Sequence, residues 1–312
     1  LLNLDVEKKL DWEEWISRES SKRLVCGMFI VSNLISTTFG INAGFSHTHD
    51  LEFEVLDSES LWNTQSAEKW MKVRNTLLPN RRTVRQTMER MIFSGQSTEI
   101  EPPASVQVSS LTMLLMMHAV NIHMSNLLQI TNTLNCPTSS HIYETITESA
   151  FSTLSRCEKI IASARGSEIH GITTWGAEEG PLMFNCQGLL RIAYIRLFST
   201  TNAFDRLTLL SDNPQDIATA VRNYAQSPQK RNENLMRSVK KAFEMLLATV
   251  KIGYLLLRKT AALSWSIEHA IAGWDAGRHD LIILPQNLLM IASPIPDKVG
   301  TRNRSRRPAR TS

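Results

Sequence analysis

The chain has 312 residues, 42% hydrophobic and 21% charged, with 13 Gly and 11 Pro that follow no period. That profile supplies a sizeable core and excludes collagen-like, low-complexity and wholly disordered chains. The formal net charge of +4 does not mark a polyanion-binding body, because Lys298, Arg302, Arg304, Arg306, Arg307 and Arg310 place six positive and no acidic side chains in 298–312, which leaves residues 1–297 slightly acidic.

Residue 1 is Leu rather than Met, which points to a fragment, a processed chain or a gene model lacking its beginning. Asp5, Glu7, Lys8 and Lys9 interrupt the first ten residues, so no signal-peptide core is present there. Asp11, followed three residues later by Glu14, forms a capping-box-like start for a helix over about Trp12–Thr38, and Glu19 and Arg23 lie four apart on one of its faces. Residues 40–57 are rich in Gly, Asn, His and Asp and read as a loop. Short helices are predicted over Glu59–Val73 and Thr83–Phe93. Beyond Pro102 and Pro103, Leu111–Leu134 is apolar almost all round, the pattern of a central buried helix. Ile142, Ile146, Ala150, Phe151, Leu154, Ile161 and Ala164 recur at helical spacing up to Gly166, and Pro181–Thr200 follows as another helix. Asn213 and Pro214 supply an N-cap and a first-turn proline for Gln215–Tyr224. Glu233–Leu257 and Lys259–Trp274 complete the series. No alternating strands, repeats or Gly-rich strand-to-helix turns occur, so the expected fold is all-α, a large multi-helix bundle without significant sheet. The expected organisation is a helical domain over 1–278, lacking its first helices, and an irregular Arg-rich segment over 279–312.

Leu24–Ile35 and Leu111–Val120 are the most apolar stretches, each too short or too interrupted to cross about 30 Å of hydrocarbon. The expectation is therefore a soluble chain without a membrane partner. Cys26, Cys136, Cys157 and Cys186 form no C-x-x-C pair and read as buried, reduced thiols. The phosphate-cradling, Rossmann, zincin and serine-elbow motifs are absent, as is any Asp-Asp pair for magnesium pyrophosphate chemistry. One loop gathers His47, His49, Asp50, Glu52 and Glu54, either a metal-binding loop or a polar turn. His118 and His123 lie about 140° apart around a helix and are ill placed to chelate one ion. Met113, Met116, Met117 and Met124 read as packing filler or a ligand-pocket lining. Arg81, Arg82, Arg85 and Arg90 read as a solvated basic face or a contact for an acidic partner. Arg302, Arg304, Arg306, Arg307 and Arg310 form a basic tail, either a nuclear-import segment or a plain disordered end.

The run from Trp12-Glu13-Glu14-Trp15 through Glu19 to Lys22-Arg23 resembles the W-x-x-W-x-x-x-E-x-x-(K/R)-R helix of the regulatory middle-homology domain of fungal transcription factors. Similar to that family are also the apolar continuation 24–39, the loop 51–56, and Leu61-Trp62 with Trp70. Further matches are the segment around His118 and His123, and Leu263–Asp275 with Trp265 and Trp274. Trp12, Trp15, Trp62 and Trp70 are expected in core packing, Trp62 and Trp70 reaching one neighbour because two helical turns separate them. The resemblance implies a regulatory or effector domain of a fungal RNA polymerase II transcription factor, working in the nucleus and not an enzyme. It implies no catalytic, cofactor or metal residues in this chain. DNA contact and zinc would belong to an upstream binuclear zinc cluster or two-Cys two-His fingers. Protein co-regulators, a small-molecule inducer or a second copy of the chain are the candidate partners. The alternatives from the residues alone are a helical metal- or small-molecule-dependent enzyme using these histidines, and a helical protein-interaction scaffold.

Overall fold

The computed structural model describes residues 11–42, 44–77, 82–93, 108–133, 141–163, 168–169, 172–173, 180–197, 204–226, 237, 240 and 267–283. The chain is all-α, as its periodicity predicts. Helix α1 spans Trp12–Phe39, α2 Glu59–Trp62, α3 Ala67–Thr76, α4 Val84–Phe93 and α5 Ser110–Thr133. They are followed by α6 over His141–Ser163, α7 over Gly180–Leu197, a 3-10 turn over Arg206–Leu210, α8 over Pro214–Gln226 and α9 over Ile267–Ile283. Among the described residues the one β ladder pairs Glu168–Ile169 with Ile172–Thr173.

Local chemistry sets the helix ends. The Asp11 carboxylate accepts from Trp12 N at 2.7 Å, satisfying one of the amides a helix start leaves without a partner. At the other end of α1, Gly40 adopts φ 71°, and its N–H donates to Ser36 O at 2.8 Å. A side chain there would be strained by the left-handed backbone and would crowd Arg206, whose Cβ lies 3.4 Å from the position of an added methyl. Asn213 Oδ1 accepts from Gln215 N at 3.1 Å and caps α8 as expected.

α5 is the central post, with every residue from Thr112 to Ile122 buried. It packs against α1, α4, α6 and α7, while α7 also contacts α6 and α9. Met113, Met116, Met117 and Met124 lie within this core, where their flexible thioethers fill gaps between helices. By length and hydropathy Ser110–Thr131 is sufficient to cross a membrane, a longer stretch than Leu111–Val120 indicates. Here that helix is the interior of the bundle, 67% buried by neighbouring helices.

Two boundaries differ from the sequence reading. The predicted Glu59–Val73 helix is broken at Asn63–Ser66, where the Ser66 hydroxyl accepts from Lys69 N at 3.4 Å and starts α3 afresh. A helix capable of restarting at a serine cap needs no continuity through Asn63. At the C-terminal end, α9 continues through Asp280 to Ile283, past Trp274, where the predicted helix ends. The predicted helix over 233–257, apart from Arg237 and Lys240, lies outside the described residues, as do Trp265, Arg81, Cys136 and the basic tail Arg302, Arg304, Arg306, Arg307 and Arg310.

Candidate functional site

The tryptophans of the motif meet in one cluster. Trp15 packs against Trp62 with ring centroids 6.2 Å apart and against Trp70 at 5.5 Å, with Trp12, Ile16, Leu61 and Val73 around them. Trp62 and Trp70 do share a neighbour, but not as two turns of one helix: α2 and α3 are separate, and the bend between them delivers both indoles to Trp15. The Trp15 indole N–H donates to Asp57 Oδ2 at 2.7 Å, which satisfies the polar edge of an otherwise buried ring.

One turn further along α1, Glu19 is fully buried. Its carboxylate meets Lys22 Nζ at 2.7 Å and Arg23 Nε at 3.1 Å, and accepts from the backbone N–H of Asp57 at 3.1 Å. Arg23 continues outward to both Glu59 oxygens at 3.2 and 3.1 Å and to Asp57 O at 3.3 Å, while its guanidinium lies 4.4 Å from the Trp62 ring centroid. Glu19 and Arg23, four apart in sequence, can pair along α1 or reach out to a neighbouring element. In the structure they do both at once. The effect is to fasten loop 51–58 to α1, and the loop's other side is held equally firmly: Val55 N donates to Arg82 O, Val84 N to Phe53 O, and Leu56 N to Thr112 Oγ1 at 3.0, 2.9 and 3.1 Å.

The histidines serve different neighbours, as their angular separation predicts. His118 is fully buried; Asn33 Nδ2 donates to its Nδ1 at 2.7 Å and to its carbonyl at 3.2 Å. An Nδ1 that accepts leaves the ring proton on Nε2, facing Glu268 Oε1 at 3.5 Å. Burial pulls the His118 pKa down, with the Glu268 carboxylate opposing. His269, the next residue of α9, donates to Phe184 O at 2.9 Å and stacks on the Phe184 ring at 3.9 Å. α9 approaches this closely because α7 has Gly188 at the crossing, where an added Cβ would stand 3.3 Å from Glu268 Cβ.

His123 points instead to the loop, its ring edge-on to His47 at 5.4 Å between centroids. Two carboxylates of the loop cluster are otherwise engaged, and a third belongs to a residue held by its backbone. Asp50 Oδ2 accepts from Ser46 N at 2.6 Å, Glu52 pairs with Arg85, and Glu54 forms a backbone bridge with Thr83. No three metal-capable side chains converge among the described residues. The basic cluster on α4 is partly neutralised in the same way, Arg85 also reaching Glu89 at 3.0 Å.

Burial lowers the His123 and His269 pKa values to about 4 from 6.5, helped by His47 in the first case and Arg191 in the second. Between pH 6.5 and about 4 the unfolded chain therefore binds more protons than the folded one, and stability must fall as pH falls through that window. Urea midpoints should decline from pH 7 to pH 4.5, with a shallower slope in His123→Gln. An unchanged slope in that variant would mean that His123 titrates normally in the folded chain.

A third cluster was not singled out from the sequence. Asp275 of α9 is fully buried and takes Arg196 Nε of α7 at 3.0 Å on one oxygen and Arg206 of the 3-10 turn on the other. Both arginines also donate to the end of α1: Arg196 to Thr37 O at 2.7 Å, and Arg206 to the carbonyls of Thr37 and Thr38 at 3.4 Å. The carbonyls that a helix leaves without intrahelical partners are thus met by two cations, which also suits the negative end of its dipole. Asp275 and Glu268 lie in the family-like segment, but nothing in their spacing shows that their partners are Arg196, Arg206 and His118. Trp274, beside Asp275, packs its ring on Phe204 at 6.3 Å between centroids.

These clusters hold structure together by charge and hydrogen bonding. Burial pushes the Cys26 and Cys157 thiols up to about 12 and raises Cys186 as well, so all three stay protonated and poorly nucleophilic at neutral pH.

Comparison with known proteins gives two matches. Residues 1–147 match the family model described as fungal specific transcription factor domain, and residues 202–278 match the one described as fungal transcription factor C-terminal domain. Searches of the curated proteins and of the solved structures return no match. The two matched segments meet in the bundle, α1 from the first against the 3-10 turn and α9 from the second, and α5 against α9 through His118 and Glu268. With the motif residues and both matches in place, residues 1–147 and 202–278 carry two fungal transcription factor domains, and the chain has a regulatory role in fungal transcription factors.

Proposed function

We propose that this chain is the regulatory or effector domain of a fungal RNA polymerase II transcription factor, and that it controls a DNA-binding module lying outside residues 1–312. The observation that carries this reading is the joining of the two family-matched segments into one bundle through His118–Glu268 and through Arg206–Asp275 at the end of α1. A bundle whose halves are tied by buried polar contacts can pass a change at one surface to another as a shift between packed states. On this reading the chain is not a catalyst and needs no cofactor of its own. Zinc belongs to the external DNA-binding module, the protein works in the nucleus, and the arginines of 302–310 serve import. Co-regulator proteins or a small-molecule inducer act on the bundle.

The test is a fusion of the whole chain to an unrelated DNA-binding domain, with a reporter carrying that domain's site. Output at least several-fold above or below that of the DNA-binding domain alone is expected. Output equal to that of the DNA-binding domain alone, with the fusion expressed and nuclear, would overturn the reading.

A further inference from the structure

α1 is apolar on two opposite sides, and among the described residues only one of them is covered. Cys26, Phe29, Asn33 and Thr37 face the core. On the far side Leu24, Met28, Val31 and Ile35 are 65, 52, 56 and 44% exposed, with Val25 beside them at 36%. A helix that is hydrophobic all round ordinarily has neighbours all round, and among the described residues this side has none packed along it. The four residues are spaced four, three and four apart, the seam spacing of a helix that packs lengthwise on another helix.

Three features favour a second copy of this chain as the neighbour. The spacing four-three-four reads the same in both directions, so α1 laid antiparallel on its own copy puts Leu24 opposite Ile35 and Met28 opposite Val31, with no gap in the seam. No charged side chain occurs from Leu24 to Phe39, whereas selection of a different partner usually relies on a charge pattern at the seam; a twofold contact instead requires that no charge meet itself on the axis. The exposed stripe amounts to on the order of 400 Å² of apolar side chain, so a twofold pairing that also covers the small residues alongside buries roughly 1,000 Å², the lower bound for a specific interface. Gly27 stands next to Met28 with nothing within 4 Å of where a Cβ would be, which leaves room for a second backbone to come close.

The direction is also determined. Extended toward the N-terminus at the same spacing, the stripe meets exposed Ser21, Ser17 and Glu14. A parallel pair would set Glu14 against Glu14 and align the helix dipoles. An antiparallel pair centred between Met28 and Val31 avoids both. We propose that the chain dimerises through α1, packed antiparallel on the α1 of a second copy along Leu24, Met28, Val31 and Ile35.

Sedimentation equilibrium of the full chain tests this. The wild type should show twice the 35.3 kDa chain mass at micromolar concentration. Met28→Glu/Val31→Glu should show the single-chain mass with the same helix content by circular dichroism, since both positions are exposed. Under oxidation, Leu24→Cys mixed with Ile35→Cys should give a cross-linked pair, and Leu24→Cys alone should not. A wild type that stays monomeric, in which case the seam serves a different protein, overturns the proposal. So does a dimer that survives the double Glu variant, or a Leu24→Cys chain that cross-links to itself.

Discussion

Asp275→Ala should lower the stability of the bundle by about 3–5 kcal/mol, the cost of removing one partner from a buried ion cluster. In a domain of this size that is a fall of roughly 10 °C in Tm. Asp275 is fully buried and answers two guanidiniums, from Arg196 and Arg206, whose own side chains are only 20 and 11% exposed. Without the carboxylate those charges stay inside, beside the Thr37 and Thr38 carbonyls that they also reach. Thermal unfolding followed by circular dichroism reads the effect. The comparison that identifies its cause is Asp275→Leu with Arg196→Met and Arg206→Met. Removing all three charges should cost less than removing the carboxylate alone, because the penalty lies in the buried positive charge left without its counter-charge from Asp275. A single Asp275→Ala variant as stable as the wild type would mean that water reaches the cluster freely.

Glu19→Ala should cost about 3 kcal/mol or more, for the same reason at the other end of α1. Glu19 is the common partner of Lys22, Arg23 and the Asp57 amide, so its loss does two things. It leaves two cations with fewer partners, and it releases the inner edge of loop 51–58. Limited proteolysis should therefore cut in that loop faster in Glu19→Ala than in the wild type. Arg23→Lys, which keeps the charge but loses the planar fork to Glu59 and the stacking on Trp62, should cost less, about 1–2 kcal/mol. Equal protease sensitivity in wild type and Glu19→Ala would show that the contacts from Arg82 and Thr112 hold the loop unaided.

What could be read from the sequence and what could not divide along a physical line. Interactions within four residues leave a pattern: the Asp11 cap, the Glu19–Arg23 spacing, the all-round apolarity of α5 and the Asn213–Pro214 start of α8 were all legible. So was the gathering of the tryptophans, although through the wrong geometry, because an eight-residue spacing is compatible both with one helix and with two helices joined by a bend. Contacts across long separations leave no spacing to read. Arg196, Arg206 and Asp275 are ordinary charged residues until the fold brings the end of α1 to them. The loop carboxylates show the converse. Glu52 and Asp50 sit near His47 in sequence, yet Arg85 and the Ser46 amide hold them. The exposed seam on α1 was visible only as apolar content, since which face a neighbour covers depends on the whole bundle.

The central claim is that the two family-matched segments form one cooperative unit, joined at the end of α1. Hydrogen exchange of the full chain, wild type against Asp275→Asn, tests it most directly. Amides in the last turns of α1, in α7 and in α9 should lose protection together in the variant and by the same free energy. Faster exchange confined to α9, with α1 and α7 protected as in the wild type, would contradict it.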